Sequence, residues 1–141
     1  MDVDALAEEL RQSLGELVRA VRAADTMPPG EAAILGFLDR DGPLTTADLA
    51  RLRGVTHQSA AKSVKDLSAE GLVRGEQHPG DARKLLLHLT DAGRSRLQRE
   101  RALRAGALGA AIRETFDEDE RRQLSESVIL LSRLTTRLTG R

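Results

Sequence analysis

The stretch RLRGVTHQSAAKSVKDLSAEGLVR, residues 51–74, decides the fold. Gly54 ends one short helix and Thr56 starts the next, as its hydroxyl can take up a free N–H of a first turn. The earlier helix, 46–52, opens at Thr45 or Thr46 as N-cap, with Asp48 in its first turn where a negative charge suits the helix dipole. Ala47, Leu49, Ala50 and Leu52 are its apolar positions. The later helix, 57–70, turns Ala60, Ala61, Val64 and Leu67 inward, which leaves His57, Gln58, Ser59, Lys62 and Lys65 facing out, and Gly71 closes it. Two helices joined through Gly54-Val55-Thr56, the second slim and polar at its start, make a helix-turn-helix with a reading face over 57–65. Leu72–Gln77 then reads as a strand, His78-Pro79-Gly80-Asp81 as a turn and Lys84–His88 as a second strand. This two-stranded hairpin is a wing.

Outward from this centre the pattern is helical. Val3, Leu6, Leu10, Leu14, Leu17 and Val21 lie three or four residues apart and put an apolar stripe on a helix over 3–24, broken by Met27-Pro28-Pro29-Gly30. Residues 30–40 form a helix carrying Ala33, Ile34, Phe37 and Leu38, stopped by Asp41-Gly42-Pro43. On the far side Thr90 caps a helix over 91–114, and Asp117 starts another over 118–138 with Leu124, Val128, Leu131, Leu134 and Leu138 in a stripe. The fold class is therefore mainly α with a small β-wing. The winged helix-turn-helix unit spans 30–90, and the helices of 1–26 and 91–141 are expected to form a dimerisation region. A second copy of the chain is the simplest cover for the flanking stripes, ahead of a monomeric bundle folding back on the middle.

Composition limits what such a chain does. Its 141 residues and 15.3 kDa suit one domain or two small units, and 40% apolar with 31% charged residues is a globular balance. No apolar run approaches the roughly 20 residues of a membrane span. The acidic start (Asp2, Asp4, Glu8, Glu9) is unlike a secretory signal, and a cytoplasmic location is expected. Cysteine is absent, which excludes disulfides, thiol nucleophiles and thiolate metal sites. Phe37 and Phe116 are the only aromatic residues, too few for base-stacking platforms on single strands or RNA. His57, His78 and His88 do not pair on one face, so no metal is expected. Without a phosphate loop or paired catalytic carboxylates, no enzyme and no cofactor is expected either; Glu8-Glu9 and Glu118-Asp119-Glu120 read as solvated or dipole-favoured charge runs. Net charge is zero, but unevenly spread. Residues 1–50 hold 4 basic and 10 acidic side chains, net −6, and residues 51–104 hold 12 and 6, net +6. The basic segment is the one with the helix-turn-helix.

Those residues suit duplex DNA. A major groove about 12 Å wide admits a helix whose leading side chains hydrogen-bond. Gln58 can pair with adenine, Ser59 and Thr46 can bond bases or phosphates, His57 and Lys62 are near enough to join them, and Lys65 suits a phosphate. Arg83, on the wing, is placed for the adjacent minor groove, where the potential is most negative. Asp81, two residues before it, can orient its guanidinium.

Residues 44–97 resemble the winged helix-turn-helix of the MarR (multiple antibiotic resistance regulator) family. The likeness rests on Leu44-Thr45 before Asp48-Leu49-Ala50, on Thr56-His57-Gln58-Ser59, on Glu70-Gly71-Leu72-Val73-Arg74, on Asp81-Ala82-Arg83 and on Leu89-Thr90-Asp91-Ala92-Gly93. Ala60-Ala61 departs from it, standing where a branched or hydroxyl pair is frequent. The resemblance implies a homodimeric bacterial transcription regulator, with the first helix and the last two as dimer interface and the middle on a pseudo-palindromic operator. It implies a repressor relieved by a small-molecule effector bound between the two parts; since the chain has no Trp or Tyr, aliphatic residues, Phe37 or Phe116, and an Arg are what would line such a pocket. It assigns recognition to Ser59 and its neighbours and the wing contact to Arg83. Lack of cysteine excludes the family's peroxide-sensing chemistry. The rival reading is a winged helix used for protein–protein contact, since fold alone does not give function.

Overall fold

The computed structural model describes residues 1–140. Helix α1 runs Val3–Val21 and is extended by a 3-10 turn, Arg22–Ala24. Then come α2 (Pro29–Asp41), β1 (Leu44–Thr45), α3 (Thr46–Arg53), α4 (His57–Ala69), β2 (Val73–His78), β3 (Asp81–Leu89), α5 (Asp91–Thr115) and α6 (Glu118–Thr139). Packing divides the chain into two units, Met1–Arg104 and a second from Ala105 onward. No described helix is long and apolar enough to cross a membrane.

Within the first unit the core sits under the helix-turn-helix. Ile34, Leu35 and Leu38 from α2 meet Leu49 of α3, Leu67 of α4, Leu72, Val73, Leu87 and Leu97. The buried face of α2 also includes Glu31 and Ala32. Ala33 and Phe37 lie at its flank, half-buried, and Arg40 stacks 5.2 Å over the Phe37 ring. Helix α3 begins at a reciprocal cap. Thr45 Oγ1 accepts the Asp48 N–H at 3.1 Å, and Asp48 Oδ2 accepts the Thr45 N–H at 3.0 Å. This settles the cap as Thr45 and leaves Thr46 as the first helical residue. Gly54, at φ 66°, closes α3 in the left-handed region that glycine enters without a Cβ penalty.

The wing is larger than a hairpin. It is a three-stranded antiparallel sheet in the order β1-β3-β2, because Leu44 and Thr45 pair with Leu87 and Leu86. Two residues carry no periodicity, so β1 was illegible as a strand. The hairpin loop is also tighter than expected. His78 is paired with Asp81 across Pro79-Gly80, with a register shift between Gln77 and His78, and β3 begins at Asp81, not Lys84. Asp and Ala are poor strand formers, so β3's first residues read as turn. Strand β2 forms the outer edge; Arg74 and Glu76 on it lie 3.5 Å apart, and His88 Nε2 lies 3.0 Å from the Glu76 carboxylate.

The string Leu89-Thr90-Asp91-Ala92-Gly93 has a mechanical reason. Thr90 Oγ1 donates to the Gly71 carbonyl at 2.7 Å and accepts the Gly93 N–H at 3.0 Å. One hydroxyl thus caps α5 and ties it to the turn between α4 and β2. Gly93 presses against the same turn: a Cβ there would lie 2.1 Å from the Leu72 carbonyl oxygen.

Helix α1 buries none of its residues, and Val3, Leu6, Leu17 and Val18 are exposed. In the second unit α6 starts at a capping box between Asp117 and Glu120 and likewise buries nothing; Leu124, Val128, Ile129, Leu130, Leu134 and Leu138 are exposed.

Candidate nucleic-acid interface

Helix α4 is positioned by its inner face. Ala60 and Leu67 are buried against the core, and Thr56 accepts the Ser59 N–H at 3.1 Å to fix its start. The opposite face is an open concavity lined by Thr56, Gln58, Ser59, Ala61, Lys62 and Lys65. Ala61 therefore belongs to the open face and not, as the spacing predicts, to the core; Val64 is only half-buried. The pair Ala60-Ala61 divides between the two sides. Ala60 lets α4 sit close on the core, and Ala61 leaves the outer face low between Gln58 and Lys65. Lys62 is tethered loosely to Asp66 at 3.7 Å on the exposed surface.

A second concavity adjoins this one, lined by Thr45, Thr46, Ala47, His57, Arg83, Lys84 and Leu85. It brings the starts of α3 and α4 together with the base of the wing. Thr46, His57 and Arg83 thus share one crevice, while Gln58, Ser59, Lys62 and Lys65 share the groove beside it. Lys84 and Leu85 were not singled out from the sequence; Lys84's only signal there was its place beside Arg83 in the basic segment.

The wing arginine is held by its neighbour. Asp81 Oδ1 accepts both the Arg83 backbone N–H at 3.0 Å and Nε–H at 3.1 Å, and Oδ2 lies 3.3 Å from Nη2. Arg83's side-chain and backbone donors hold the Asp81 carboxyl below its ordinary value, so it stays an anion. Arg83 itself remains 90% exposed, so the pairing orients the guanidinium without hiding it.

A different cluster lies away from these concavities. Glu100 of α5 is buried, and its carboxylate accepts from Thr26 and from Arg96 Nη1 at 2.9 Å. Burial opposes its charge, but the Thr26 and Arg96 donors outweigh burial and keep its pKa lowered. Arg104 Nε and Nη2 grip Asp25 at 2.6 and 2.9 Å, and Arg101 Nη1 meets Asp39 at 3.0 Å. Beside them is a cavity of about 200 Å³ whose walls include Arg22, Ala33, Gly36, Leu97, Arg101 and Arg104. Phe37 is not among the walls of this cavity. Glu100 looked like one more charge on a charged helix, so its burial had no signature. Among the described residues no cluster of His, Asp or Glu is placed to hold a metal ion.

Comparison with known proteins agrees with this architecture. Residues 25–84 match the sequence model of the MarR family. No curated protein sequence matches the chain. Among solved structures, a protein of Pseudomonas aeruginosa described as a transcriptional regulator is 28% identical, with a TM-score of 0.80 over 96% of this chain and 97% of its own. The transcriptional regulator Tm0710 of Thermotoga maritima shares the fold at 20% identity, with a TM-score of 0.75 over 98% and 99%. A mutant MepR of S. aureus, solved bound to an oligodeoxyribonucleotide, shares it at 17% identity, with a TM-score of 0.65 over 92% and 97%.

Proposed function

We propose, from the premise that residues 25–84 are a MarR-family winged helix in a chain with the fold of such regulators throughout, that this protein is a homodimeric repressor of transcription. It binds a pseudo-palindromic duplex operator, with 30–90 on the DNA and 1–26 with 91–141 as the dimerisation region. One observation carries the reading. The groove on α4 and the crevice at the wing adjoin, and between them hold Thr46, His57, Gln58, Ser59, Lys62, Lys65 and Arg83. Donors aimed from a slim helix beside an oriented arginine are what a major groove and its neighbouring minor groove select. Gln58 and Ser59 read bases, Lys65 meets phosphate, and Arg83, oriented by Asp81, enters the minor groove. The bare stripes of α1 and α6 supply the contact between copies. MepR's oligodeoxyribonucleotide complex supports DNA as the partner.

The arginine-lined cavity suits a small acidic effector, whose carboxylate competes with Asp25 for Arg104 and so weakens DNA binding. The location is the cytoplasm, on the nucleoid when DNA-bound. Titrating labelled duplex DNA with the protein at several salt concentrations tests the reading. Affinity should fall steeply and log-linearly with salt. A protein-contact winged helix would show no such slope, and that outcome would replace the DNA reading.

A further inference from the structure

Helix α1 buries no residue, yet the segment leaving it is tied to α5 by side-chain hydrogen bonds at Asp25 and Thr26. Both Glu100 carboxylate oxygens lie 3.1 Å from the Thr26 N–H, and the Thr26 hydroxyl donates to Glu100 as well. Arg96 Nη2 donates to the same hydroxyl at 2.8 Å and to the Thr26 carbonyl at 3.1 Å, while Nη1 neutralises Glu100. One residue earlier, Asp25 takes the bidentate pair from Arg104. Arg96, Glu100 and Arg104 are four residues apart, so three successive turns of α5 hold the two adjacent joint residues Asp25 and Thr26. Glu100 is 1% exposed. A carboxylate buried that deeply costs free energy unless paired, and an apolar residue would pack the site more simply.

We propose that Glu100 is a positioning residue: with Arg96 and Arg104 it locks the joint between α1 and α2 onto α5, and so fixes the direction in which α1 leaves the winged helix. The inference rests on the dimeric DNA-binding reading for its consequence. If α1 meets a partner copy, its direction sets the separation at which two α4 helices face the duplex, and half-site spacing follows from that separation. The 200 Å³ cavity opens onto this lock, since Glu100 and Arg104 are among its walls.

The chain has no cysteine, so introduced pairs label cleanly. Ser13→Cys on α1 and Ser68→Cys on α4, both exposed positions, carry spin labels, and an excess of unlabelled chain isolates the distance within one chain. Double electron–electron resonance should give one narrow distance for the otherwise unchanged protein. It should give a broadened or split distribution for Glu100→Ala and for Thr26→Val, and a narrow one again for Thr26→Ser, which restores the hydroxyl. Circular dichroism verifies that helix content is retained, and the Thr26 pair keeps the test decisive if Glu100→Ala does not fold. An unchanged narrow distance in Thr26→Val overturns the lock. In parallel, each chain selects from a randomised duplex pool. The unchanged protein should recover inverted repeats at one half-site separation, and Thr26→Val the same half-sites at several. A single separation for Thr26→Val overturns the proposed control of spacing. Broadened distances with no duplex recovered by any chain leave the lock standing and overturn its consequence for DNA together with the DNA reading.

Discussion

Gln58 and Lys65 stand two helical turns apart on the open face of α4 and are expected to differ in what they read. Gln58→Ala should lower discrimination between the selected duplex and random DNA by about 1–3 kcal/mol, the worth of a bidentate base contact. Lys65→Ala should weaken both duplexes alike and reduce the salt slope by about one. Competition anisotropy at two or more salt concentrations separates them; equal losses for Gln58→Ala on both duplexes would refute base reading. At the wing proposed to meet DNA, Asp81 is an anion that would repel phosphates, yet it holds Arg83 by three contacts. Arg83→Ala should weaken binding, and Asp81→Ala should weaken it too, because the guanidinium loses its orientation. Tighter binding by Asp81→Ala would mean that repulsion outweighs orientation. Gly93 is a stability residue: Gly93→Ala pushes a methyl into the Leu72 carbonyl and should cost about 1–3 kcal/mol in a urea melt.

At the scale of elements, ends were easier to read than faces. Thr56, Thr90 and Asp117 announced the starts of α4, α5 and α6 because a hydroxyl or carboxylate before a helical pattern has one common use, and each accepts an N–H of its first turn. Of the apolar residues of α2, Ile34 and Leu38 are buried and Ala33 and Phe37 half-buried, while Ala32 and Leu35, no more apolar, are buried as well; only packing chooses between them. The site residues were legible in the same uneven way. A polar run at a helix start marked 57–59, whereas Lys84 and Leu85 join Thr46 only through folding of the wing. Thr45 shows how one residue can belong to two elements: it ends β1 and caps α3. Thr45→Ala should therefore cost about 1 kcal/mol as a lost cap, read as a shift in denaturant midpoint without change in slope. For α6, Leu134→Glu on its exposed stripe should convert a two-fold assembly into a species near 15.3 kDa by sedimentation, and remove DNA binding with it. A wild-type chain already sedimenting near that mass would sink the dimer.

Over the whole molecule, buried carboxylates set how stability varies with pH. Arg104 holds Asp25 below its ordinary value, and Glu100 is lowered despite its burial by Thr26 and Arg96. A lowered folded pKa contributes stability above the unfolded value, lost as pH falls through the folded one. Glu31 has the opposite sign: burial, with Glu70 and Asp66 adding repulsion, raises it above its ordinary value. Its penalty is present at neutral pH and disappears on acidification. Glu31→Gln should accordingly raise Tm at neutral pH, with the gain vanishing as Glu31 is protonated in acid, whereas Glu100→Gln should lower Tm at neutral pH and matter least in acid. Thermal melts across the acidic range check both signs. The position of β2 has a consequence of another kind. Its outer backbone edge is unpaired within the sheet, and such an edge is an invitation to amyloid-like growth by any neighbouring strand. Here it carries Arg74, Gly75 and Glu76 and ends in an irregular register, all of which discourage a docking strand. The charges that look idle on the wing oppose edge-to-edge growth between copies.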